Sequence, residues 1–525
     1  MSRLSNSLIY VSFYSTYYSY EVVFVREVFI YGSCEEQINY LGKNAESTGC
    51  TKMGKFITTA LTHLVRNHRM NKFLAGKIDK YIYESMVINA DDGLKGVRLK
   101  KYEFLSAMLA CTLRNIEKGY ISKDVIGNIV NVLVNNSMLH NDDYFQTIES
   151  FKSEYGEYPP SFVVISPTQK CNLNCIGCYA GSNARTAVTM PFHIMDRMIA
   201  EVHDSFGGRF ITISGGEPLM YESEGKTLFD IFEKYDDMFF LMYSNGTLID
   251  EKTASRLAAA ANVTPAVSVE GFERETDQRR GKGIFEKILR AFGNLRNAGV
   301  PFGISVTATK KNTDRLLSDD FYDFFFEKQG ATYMWQFQLM PIGRGKDEVE
   351  LMVSPAERFK LYRKWEGLLS EKKYCIADFW NSGVVSNGCI AYGRDGGYFY
   401  IDWNGNITPC VFIPYYVDNI YELYSEGKTL VDALFSDFMK NGRKWQSDYC
   451  LADLSKPKNL LMPCSIRDHY EIFRNSVMTE QVKPEDAKAG EALESKDYLE
   501  MLDSYDCQLE ELTNEVWEKE YVMPG

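Results

Sequence analysis

The sequence predicts an α/β protein whose central part is a partial (β/α)6 barrel of the TIM type. Short apolar runs alternate with helix-length segments between residues 162 and 340. This alternation is typical of a parallel sheet, whose buried strands are nearly continuous apolar runs. Cysteine and small polar residues follow the ends of the runs, as functional residues do at the rim of a barrel. A doubly wound nucleotide-binding sheet is less favoured, because no GxGxxG turn follows the first run.

The predicted strands are the apolar runs Phe162–Ile165, Phe210–Ile213, Met238–Met242, Val263–Val269, Gly303–Thr307 and Tyr333–Met340. The predicted helices between them are Pro191–Ser205, Glu251–Ala261, Ile284–Ala298 and Asp314–Glu327. Because the strands are parallel, their carboxyl ends should share one rim, and the active site is expected there.

The length of 525 residues implies two to four domains. We expect a helical N-terminal domain at 53–155, the barrel at 156–345 and a small α+β extension at 346–478. An acidic tail follows at 479–525, and its helical periodicity is carried by Leu499, Leu502, Leu509 and Leu512. This tail is predicted either to pack on the barrel or to fray into solvent.

Residues 1–52 are expected to be an over-extended reading frame, with Met53 as the natural start. Glu21, Arg26 and Glu27 interrupt the aromatic stretch near the N-terminus, whereas a membrane-spanning helix needs about 20 mostly apolar residues. The basic start, apolar centre and cleavage site of a signal peptide are also missing.

The stretch 56–83 has apolar residues at helical spacing beside basic ones. This pattern predicts the core face of a helical domain. Contact with a membrane surface or with a partner groove is less favoured.

Three cysteines on one short loop, Cys171, Cys175 and Cys178, are the strongest indication of function. They offer three thiolates, whereas an iron–sulfur cluster normally takes four. An iron without a protein ligand can bind a cosubstrate, just as catalytic metal sites keep an open position. The alternatives are a set of unrelated buried thiols or a zinc loop, but zinc sites usually pair two CxxC units and no second unit is nearby.

A turn with paired glycines, Gly215-Gly216-Glu217-Pro218, follows the second predicted strand. Glycines allow backbone to approach a ligand closely, and Glu217 adds a carboxylate. Such a turn alone is most often only a tight turn. When the turn follows such a cysteine loop after a gap of one helix length, however, it is a specific indication of function.

Together the two motifs resemble those of the radical S-adenosylmethionine (SAM) superfamily. The cysteine loop is similar to its cluster motif, and residues 215–218 are similar to its GGEP motif. The strand ends at 243–247, 266–271 and 279–283 are also similar, and the resemblance covers roughly residues 160–345. One departure is Gly177, where many members carry an aromatic residue; here Tyr179 follows the loop instead.

The resemblance implies an enzyme that reductively cleaves SAM at a 4Fe–4S cluster to a 5′-deoxyadenosyl radical, which abstracts hydrogen from a substrate. Such chemistry belongs to the cofactor, and the protein orients the reactants, so no acid–base pair is expected. The implied cluster ligands are Cys171, Cys175 and Cys178. The residues implied to bind SAM are Gly215, Gly216, Glu217, Pro218, Ser244, Asn245, Ser268 and Glu270.

Residues 380–414 resemble the SPASM/twitch extension of many radical SAM enzymes, which holds an auxiliary iron–sulfur cluster. Cys389, Gly405 and Cys410 match its cysteine and Gly-x4-Cys pattern, and the Asn-Gly pair at 404–405 is typical of a β-hairpin. Cys464 is the expected third ligand. The later multi-cysteine run of the full pattern is missing, so a single auxiliary cluster is implied. Free cysteines that act as small buried hydrophobes are the alternative.

The fourth ligand of that cluster is open at this point, and the candidates are Cys450, Cys375, His469 and a substrate group. Cysteines without a spacing partner are predicted to be core or surface thiols: Cys34, Cys50, Cys111 and Cys507. Histidines predicted to have no catalytic part are His63, His68, His140, His193 and His203.

Charge and cysteine usage indicate the setting. The net charge of −13 disfavours binding to nucleic acid. The 12 cysteines are too few for a disulfide scaffold, and cluster-forming thiolates need a reducing compartment. We therefore expect a cytoplasmic protein protected from oxygen, and the resemblance implies an electron donor such as ferredoxin or flavodoxin.

The resemblance makes a peptide or protein side chain the leading substrate hypothesis. One alternative is a small molecule, cofactor precursor or lipid as substrate. Another is a non-catalytic iron–sulfur electron carrier. A carrier needs no SAM pocket, so Glu217, Ser244 and Asn245 argue against it.

Overall fold

The computed structural model describes residues 71–90, 92–133, 142–183, 185 and 188–523. Several expectations therefore lie outside the described residues: those for 1–52, for residues 56–70 of the amphipathic stretch, and for Cys34, Cys50, His63, His68 and His140.

A nine-stranded sheet organises the described chain, with two small antiparallel pairs beside it. In chain order the strands are β1 (Phe162–Ile165), β2 (Phe210–Ile213), β3 (Glu222–Ser223), β4 (Lys226–Thr227), β5 (Phe239–Ser244), β6 (Val263–Val269), β7 (Gly303–Ala308), β8 (Tyr333–Gln338), β9 (Ile376–Asp378), β10 (Tyr398–Ile401), β11 (Ile407–Thr408), β12 (Tyr415–Tyr416) and β13 (Lys483–Pro484). The large sheet has the order β11-β10-β1-β2-β5-β6-β7-β8-β9, and its pairs are parallel except β10 with β11. Within the described residues β11 and β9 remain at opposite edges, so the predicted partial barrel is confirmed.

Helices precede, surround and follow this sheet. The N-terminal ones are Asn71–Tyr83, Lys95–Glu117, Lys123–Ile129 and Asp142–Tyr155. Those of the barrel are Phe192–Ser205, Leu228–Lys234, Glu251–Ala260, Glu273–Arg280, Ile284–Ala298, Thr313–Leu316 and Asp319–Tyr322. Those after β8 are Pro355–Ser370, Gly383–Ser386, Ile420–Ser425, Leu430–Ala433, Asp437–Gln446, Ser465–Asp468, Tyr470–Ile472, Ala487–Glu494 and Lys496–Val516.

All the predicted strands are present, and β1, β2 and β6 have the predicted bounds. The sheet is larger than predicted, because β9 pairs with β8 and β10 pairs with β1. Both added strands come from the range assigned to the extension. The extension is thus hydrogen-bonded into the barrel sheet at both of its sides.

The single helix predicted over 314–327 is wrong. The chain instead forms helices Thr313–Leu316 and Asp319–Tyr322 and a π-helical turn, Asp323–Lys328. Ser318 lies between the two helices with an extended backbone, φ −87° and ψ 136°, at the N-cap position of the second. This extended residue interrupts the helix, so the periodic apolar pattern did not produce one continuous helix.

The N-terminal helices cover the amino-end side of the sheet. Val125 and Ile129 pack with Phe239 and against Phe210 on the strands, and Asn115 Nδ2 donates to Gly330 O at 2.8 Å. In helix Asn71–Tyr83, Ile82 is buried among apolar residues of its own region. The buried position of Ile82 agrees with the core-face interpretation for residues 71–83.

The acidic tail packs on the molecule. Leu502 and Leu509 of helix Lys496–Val516 are buried, whereas Leu512 is exposed. Farther along, Tyr521 shares a hydrogen bond of 2.7 Å with Tyr362 of helix Pro355–Ser370. Across the described residues, no helix has the length and apolar character needed to cross a bilayer.

Candidate active site

The three-cysteine loop follows β1 at the carboxyl rim of the barrel. Cys171 is buried, while Cys175 and Cys178 are half-buried. Gly177 has φ +64°, and a Cβ there would lie 2.9 Å from Leu339 Cδ1. A side chain at this position would therefore be strained and crowded, which explains the departure from the aromatic residue of many relatives.

Burial and charge act against each other on these thiols. Burial raises the pKa of Cys171 to about 11. Burial also raises the pKa of Cys175, but the nearby Arg280 guanidinium counteracts part of that rise. The ionised thiols of Cys175 and Cys178 would further raise the pKa of Cys171. The loop thus gathers three thiols whose combined negative charge needs a positive partner.

Arg279 and Arg280 provide that positive charge, and Glu270 holds them. Glu270 is 1% exposed and accepts hydrogen bonds from Arg280 Nε at 2.9 Å and Nη2 at 2.6 Å. Its other oxygen lies 2.7 Å from Arg279 Nη1. Arg279 and Ile176 of the loop exchange backbone contacts, with Ile176 N donating to Arg279 O at 3.0 Å. Glu270 therefore anchors the two arginines, and its contact with SAM stays a prediction.

The glycine turn docks directly on the cysteine loop. Gly216 N donates to Thr168 O at 2.8 Å, and Glu217 N donates to Lys170 O at 2.9 Å. A Cβ at Gly216 would lie 2.3 Å from the Lys170 carbonyl oxygen, and one at Gly215 would lie 2.6 Å from that of Thr168. Only glycine permits this approach. Pro218 then begins a short 3-10 turn, Pro218–Met220.

The carboxylate of Glu217 ties the turn to the end of β5. It is fully buried and accepts hydrogen bonds from Ser244 Oγ at 2.9 Å, Asn245 N at 2.7 Å and Leu219 N at 3.2 Å. Burial raises the pKa of Glu217, and these donors oppose the rise. Its role as acceptor for the SAM ammonium stays a prediction.

Two further predicted SAM contacts lie on the same rim. Asn245 Nδ2 is 3.8 Å from Cys171 Sγ and donates to Asn172 Oδ1 at 2.8 Å. Ser268 Oγ, near the end of β6, is 3.1 Å from Ser305 Oγ on the neighbouring strand β7. The turn, the ends of β5 and β6 and the cysteine loop therefore lie at one rim, and the contact of these residues with SAM stays a prediction.

Two residues at this rim were not predicted. Arg344, after β8, donates from Nη2 to Cys175 O at 3.1 Å and to Ser182 O at 2.9 Å, and closes over the loop. Tyr179 shares a hydrogen bond of 2.9 Å with Ser214. Arg344 stands between two glycines in a segment after a strand end, and that position was the available signal.

An aromatic wall stands between the three-cysteine loop and the extension. The Phe412 ring centroid is 6.0 Å from that of Tyr179, 5.8 Å from Phe337 and 4.8 Å from Trp380. Phe412 follows Cys410 by two residues, and its backbone N–H points at Cys410 Sγ at 3.4 Å. Through its ring and its backbone, Phe412 therefore links Tyr179 after the cysteine loop, Phe337 of the barrel and Cys410 of the second group.

The second group brings together the cysteines predicted in the extension. Besides burial, the thiols of Cys389 and Cys410 raise the pKa of Cys464. Burial raises the pKa of Cys410 to about 12, and Cys389 adds to this. The β10–β11 hairpin is confirmed as the support of Cys410. These thiols therefore share one buried region.

The structure separates the candidates for a fourth ligand. Burial raises the pKa of Cys450 to about 12, and the nearby thiol of Cys389 adds to this rise. The Sγ of Cys450 donates to Asn387 O at 3.2 Å. Cys375 precedes β9 and its N–H points at Cys111 Sγ at 3.4 Å, at the opposite end of the strand from the rim. His469 Nε2 pairs with Met462 O at 2.9 Å.

A buried ion pair anchors the segment that carries Cys464. Arg358 and Asp468 are fully buried and form a two-pronged ion pair, with Arg358 Nη2 at 3.1 Å from Asp468 Oδ2. That carboxylate oxygen also accepts a hydrogen bond from Cys464 N at 3.1 Å. Helix Pro355–Ser370 thereby fixes the backbone of a predicted ligand.

The donor sets fit iron–sulfur clusters better than a single metal ion. Iron–sulfur clusters are held by cysteine thiolates. Both groups supply thiols, and the cations of Arg280 and Arg394 lie beside them. These donors and charges favour anionic clusters over a zinc site.

A parallel barrel with three thiols and a glycine–carboxylate turn at its carboxyl rim defines an enzyme that uses an iron–sulfur cluster with SAM. Residues 165–318 match the family described as the Radical SAM superfamily. The barrel of this chain thus contains a radical SAM domain. Its cofactors are a 4Fe–4S cluster and SAM; when bound, they supply an electron and an adenosyl radical.

The chain is also similar to curated proteins. An AdoMet-dependent heme synthase of Methanosarcina barkeri is 28% identical over 50% of this chain and 80% of its own length. The mycofactocin maturase MftC of Mycolicibacterium smegmatis is 27% identical over 63% of this chain and 81% of its own length. Among solved structures, Streptococcus suis SuiB bound to precursor peptide SuiA has 17% identity and a TM-score of 0.49, with 66% of this chain and 79% of that chain covered.

The remaining described histidines and cysteines lie apart from both cysteine groups. His193 and His203 lie on the outer helix Phe192–Ser205, where His193 pairs with Glu224 and His203 pairs with Asp237. Cys507 is exposed on helix Lys496–Val516.

Proposed function

We propose that this radical SAM enzyme modifies a peptide or protein side chain. The observation that carries the proposal is the joining of two cysteine groups in one sheet, since β10 of the extension pairs with β1 of the barrel. The alignment with the relative named mycofactocin maturase covers 63% of this chain, against 50% for the one named heme synthase. The longer alignment favours a maturase.

The chain's own residues have distinct parts in this proposal. Cys171, Cys175 and Cys178 hold the SAM cluster, and Arg280 offsets their charge. The turn 215–218 and the ends of β5 and β6 orient SAM. A side chain of the substrate enters the barrel beside Phe412, which excludes water from the reacting groups. The electron comes from a donor such as ferredoxin or flavodoxin.

The test is an anaerobic assay with reduced, reconstituted protein and SAM. We expect a peptide encoded by a reading frame flanking the gene to lose hydrogen, as measured by mass spectrometry, with 5′-deoxyadenosine formed in proportion. An iron coproporphyrin serves as the small-molecule comparison. Turnover of the porphyrin with none of the peptides would contradict the peptide assignment.

A small-molecule substrate is the second candidate, favoured by the printed name of the heme synthase relative, of whose length 80% is aligned. The same assay decides between the two. Under this alternative, 5′-deoxyadenosine forms in proportion to porphyrin product, and added peptides leave its yield unchanged.

The ligand set of the auxiliary cluster is also a proposal. Cys389, Cys410, Cys464 and Cys450 are its four ligands, which closes the site to substrate. This is supported by the position of Cys450 beside Cys389, and by the orientation of Cys375 and His469 toward other partners.

Cys450→Ala is therefore expected to lower the iron content of the reconstituted protein from about eight toward about four atoms per chain. Cys375→Ala is the matched control, because it removes another buried thiol, and it should keep about eight. Full iron content in Cys450→Ala, as measured by chemical iron analysis, would exclude Cys450 as a ligand.

A further inference from the structure

Arg394 is a buried cation in the loop between Cys389 and β10. It is 6% exposed, although arginine is almost never fully buried unless it is paired. Its Nε donates to Cys389 O at 2.7 Å, Nη1 to Asp395 O at 2.8 Å and Nη2 to Ser386 O at 2.7 Å. All three acceptors are neutral backbone carbonyls. Among the described residues, no carboxylate oxygen forms an ion pair with it within the usual distance.

The groups around Arg394 indicate which negative charge would balance its positive charge. The titratable groups that interact electrostatically with Arg394 are, in order of strength, the thiols of Cys450 and Cys389 and the carboxyl of Asp395. Two of these three are proposed cluster ligands. A buried charge is costly unless an opposite charge lies nearby. Thiolate-bound iron–sulfur clusters carry net negative charge, which is one of the quantities that set their reduction potential.

A second polar group reaches the same centre from the sheet. Tyr398 on β10 is 2% exposed, and its hydroxyl lies 3.0 Å from Cys410 Sγ. Its ring is fixed by stacking on Phe162 of β1 at 5.1 Å between centroids. A hydroxyl held at this distance donates its hydrogen to a thiolate. Hydrogen bonds to the sulfurs of a cluster also shift its reduction potential.

We propose that Arg394 is the counter-charge of the auxiliary cluster and that Tyr398 is its hydrogen-bond donor, so that together they raise its reduction potential. Both groups stabilise the more negative, reduced form relative to the oxidised one. This inference rests on the proposed auxiliary cluster. It assigns to these two side chains a tuning role, because neither of them holds iron.

The experiment is a redox titration followed by electron paramagnetic resonance. It uses the full-length chain with Cys171, Cys175 and Cys178 replaced by alanine, so that only the auxiliary cluster is titrated. In this background Arg394→Gln should shift the potential downward. At a fixed solution potential the ratio of reduced to oxidised cluster should fall about tenfold, which is about 59 mV for a one-electron couple. Tyr398→Phe should shift it in the same direction by less.

Matched variants separate charge and hydrogen bonding from packing. Arg394→Lys keeps the charge and should restore most of the potential. Tyr400→Phe removes a hydroxyl that is equally buried on the same strand and should leave the potential unchanged. Arg443→Gln removes another guanidinium of the extension, one that is paired with Glu157 at 2.7 Å, and should also leave it unchanged.

The outcomes distinguish this inference from the proposal on which it rests. About four irons per wild-type chain, and none in the background variant, would remove both the auxiliary cluster and its tuning. A titratable cluster whose potential is the same in Arg394→Gln, Tyr398→Phe and the background would leave the cluster standing and overturn the tuning role. If Arg394→Gln does not fold, Tyr398→Phe decides the question.

Discussion

Replacing Cys171, Cys175 and Cys178 together with alanine should abolish the cleavage of SAM to 5′-deoxyadenosine and methionine. These thiols are the side chains that the rim offers to an iron–sulfur cluster, and Arg280 beside them balances their charge. Without the cluster no electron reaches the sulfonium, and the protein's positioning groups supply no substitute. The measurement is 5′-deoxyadenosine formed by anaerobically reconstituted, dithionite-reduced protein.

Cys507→Ala is the matched control, because Cys507 is an exposed thiol outside both cysteine groups. It should keep wild-type cleavage and iron content. Cleavage that persists in the triple variant would place the chemistry elsewhere, most directly at the second cysteine group. That result would also remove the basis for assigning SAM to the turn at 215–218.

Arg358→Met should lower the free energy of unfolding by about 3–5 kcal/mol, because it leaves the Asp468 carboxylate buried without its partner. Both side chains of this pair have 0% exposure. Because Asp468 also fixes the backbone of Cys464, the variant should lose iron from the auxiliary cluster as well. Denaturant unfolding of the iron-free protein and iron analysis of the reconstituted protein are the two measurements.

Two variants serve as comparisons. Arg363→Met removes a 45% exposed arginine of the same helix, and its ion pairs should contribute no more than about 1 kcal/mol. Arg358→Met combined with Asp468→Leu removes both charges and should recover much of the lost stability. If Arg358→Met were as stable as Arg363→Met, the buried pair would have no anchoring role.

The barrel could be predicted because its signals are local. Parallel strands such as β1, β2 and β6 are apolar runs with polar ends, and the cysteine spacing is contained in one loop. The pairing of β10 with β1 could not be predicted, because the run at 398–401 gives the same signal in an isolated hairpin as in a sheet. The sequence of a short strand does not indicate which distant strand it pairs with or in which register.

In the candidate site, too, features with a local sequence signal could be predicted and features that depend on long-range packing could not. The glycines at 215 and 216 were identified by type, since close backbone approach requires them. Arg394 was not identified, because an arginine among glycines is usually a solvated loop residue. Its surroundings include residues far away in the chain, such as Gln446, which donates at 3.0 Å to the same Cys389 carbonyl oxygen that Arg394 contacts. Arg344 was missed for the same reason.

The parallel pairing of β10 with β1 has a consequence for how this protein can be shortened. Val164 of β1 lies opposite Tyr400 and Thr212 in the register of its two neighbours. A chain cut after residue 345 would leave one flank of β1 as a bare row of amide and carbonyl groups, which invites pairing with other molecules. The three-cysteine loop directly follows that same strand. Strand β10 of the second half of the chain thus covers an edge of the barrel sheet in the first half, and neither half is an independent domain.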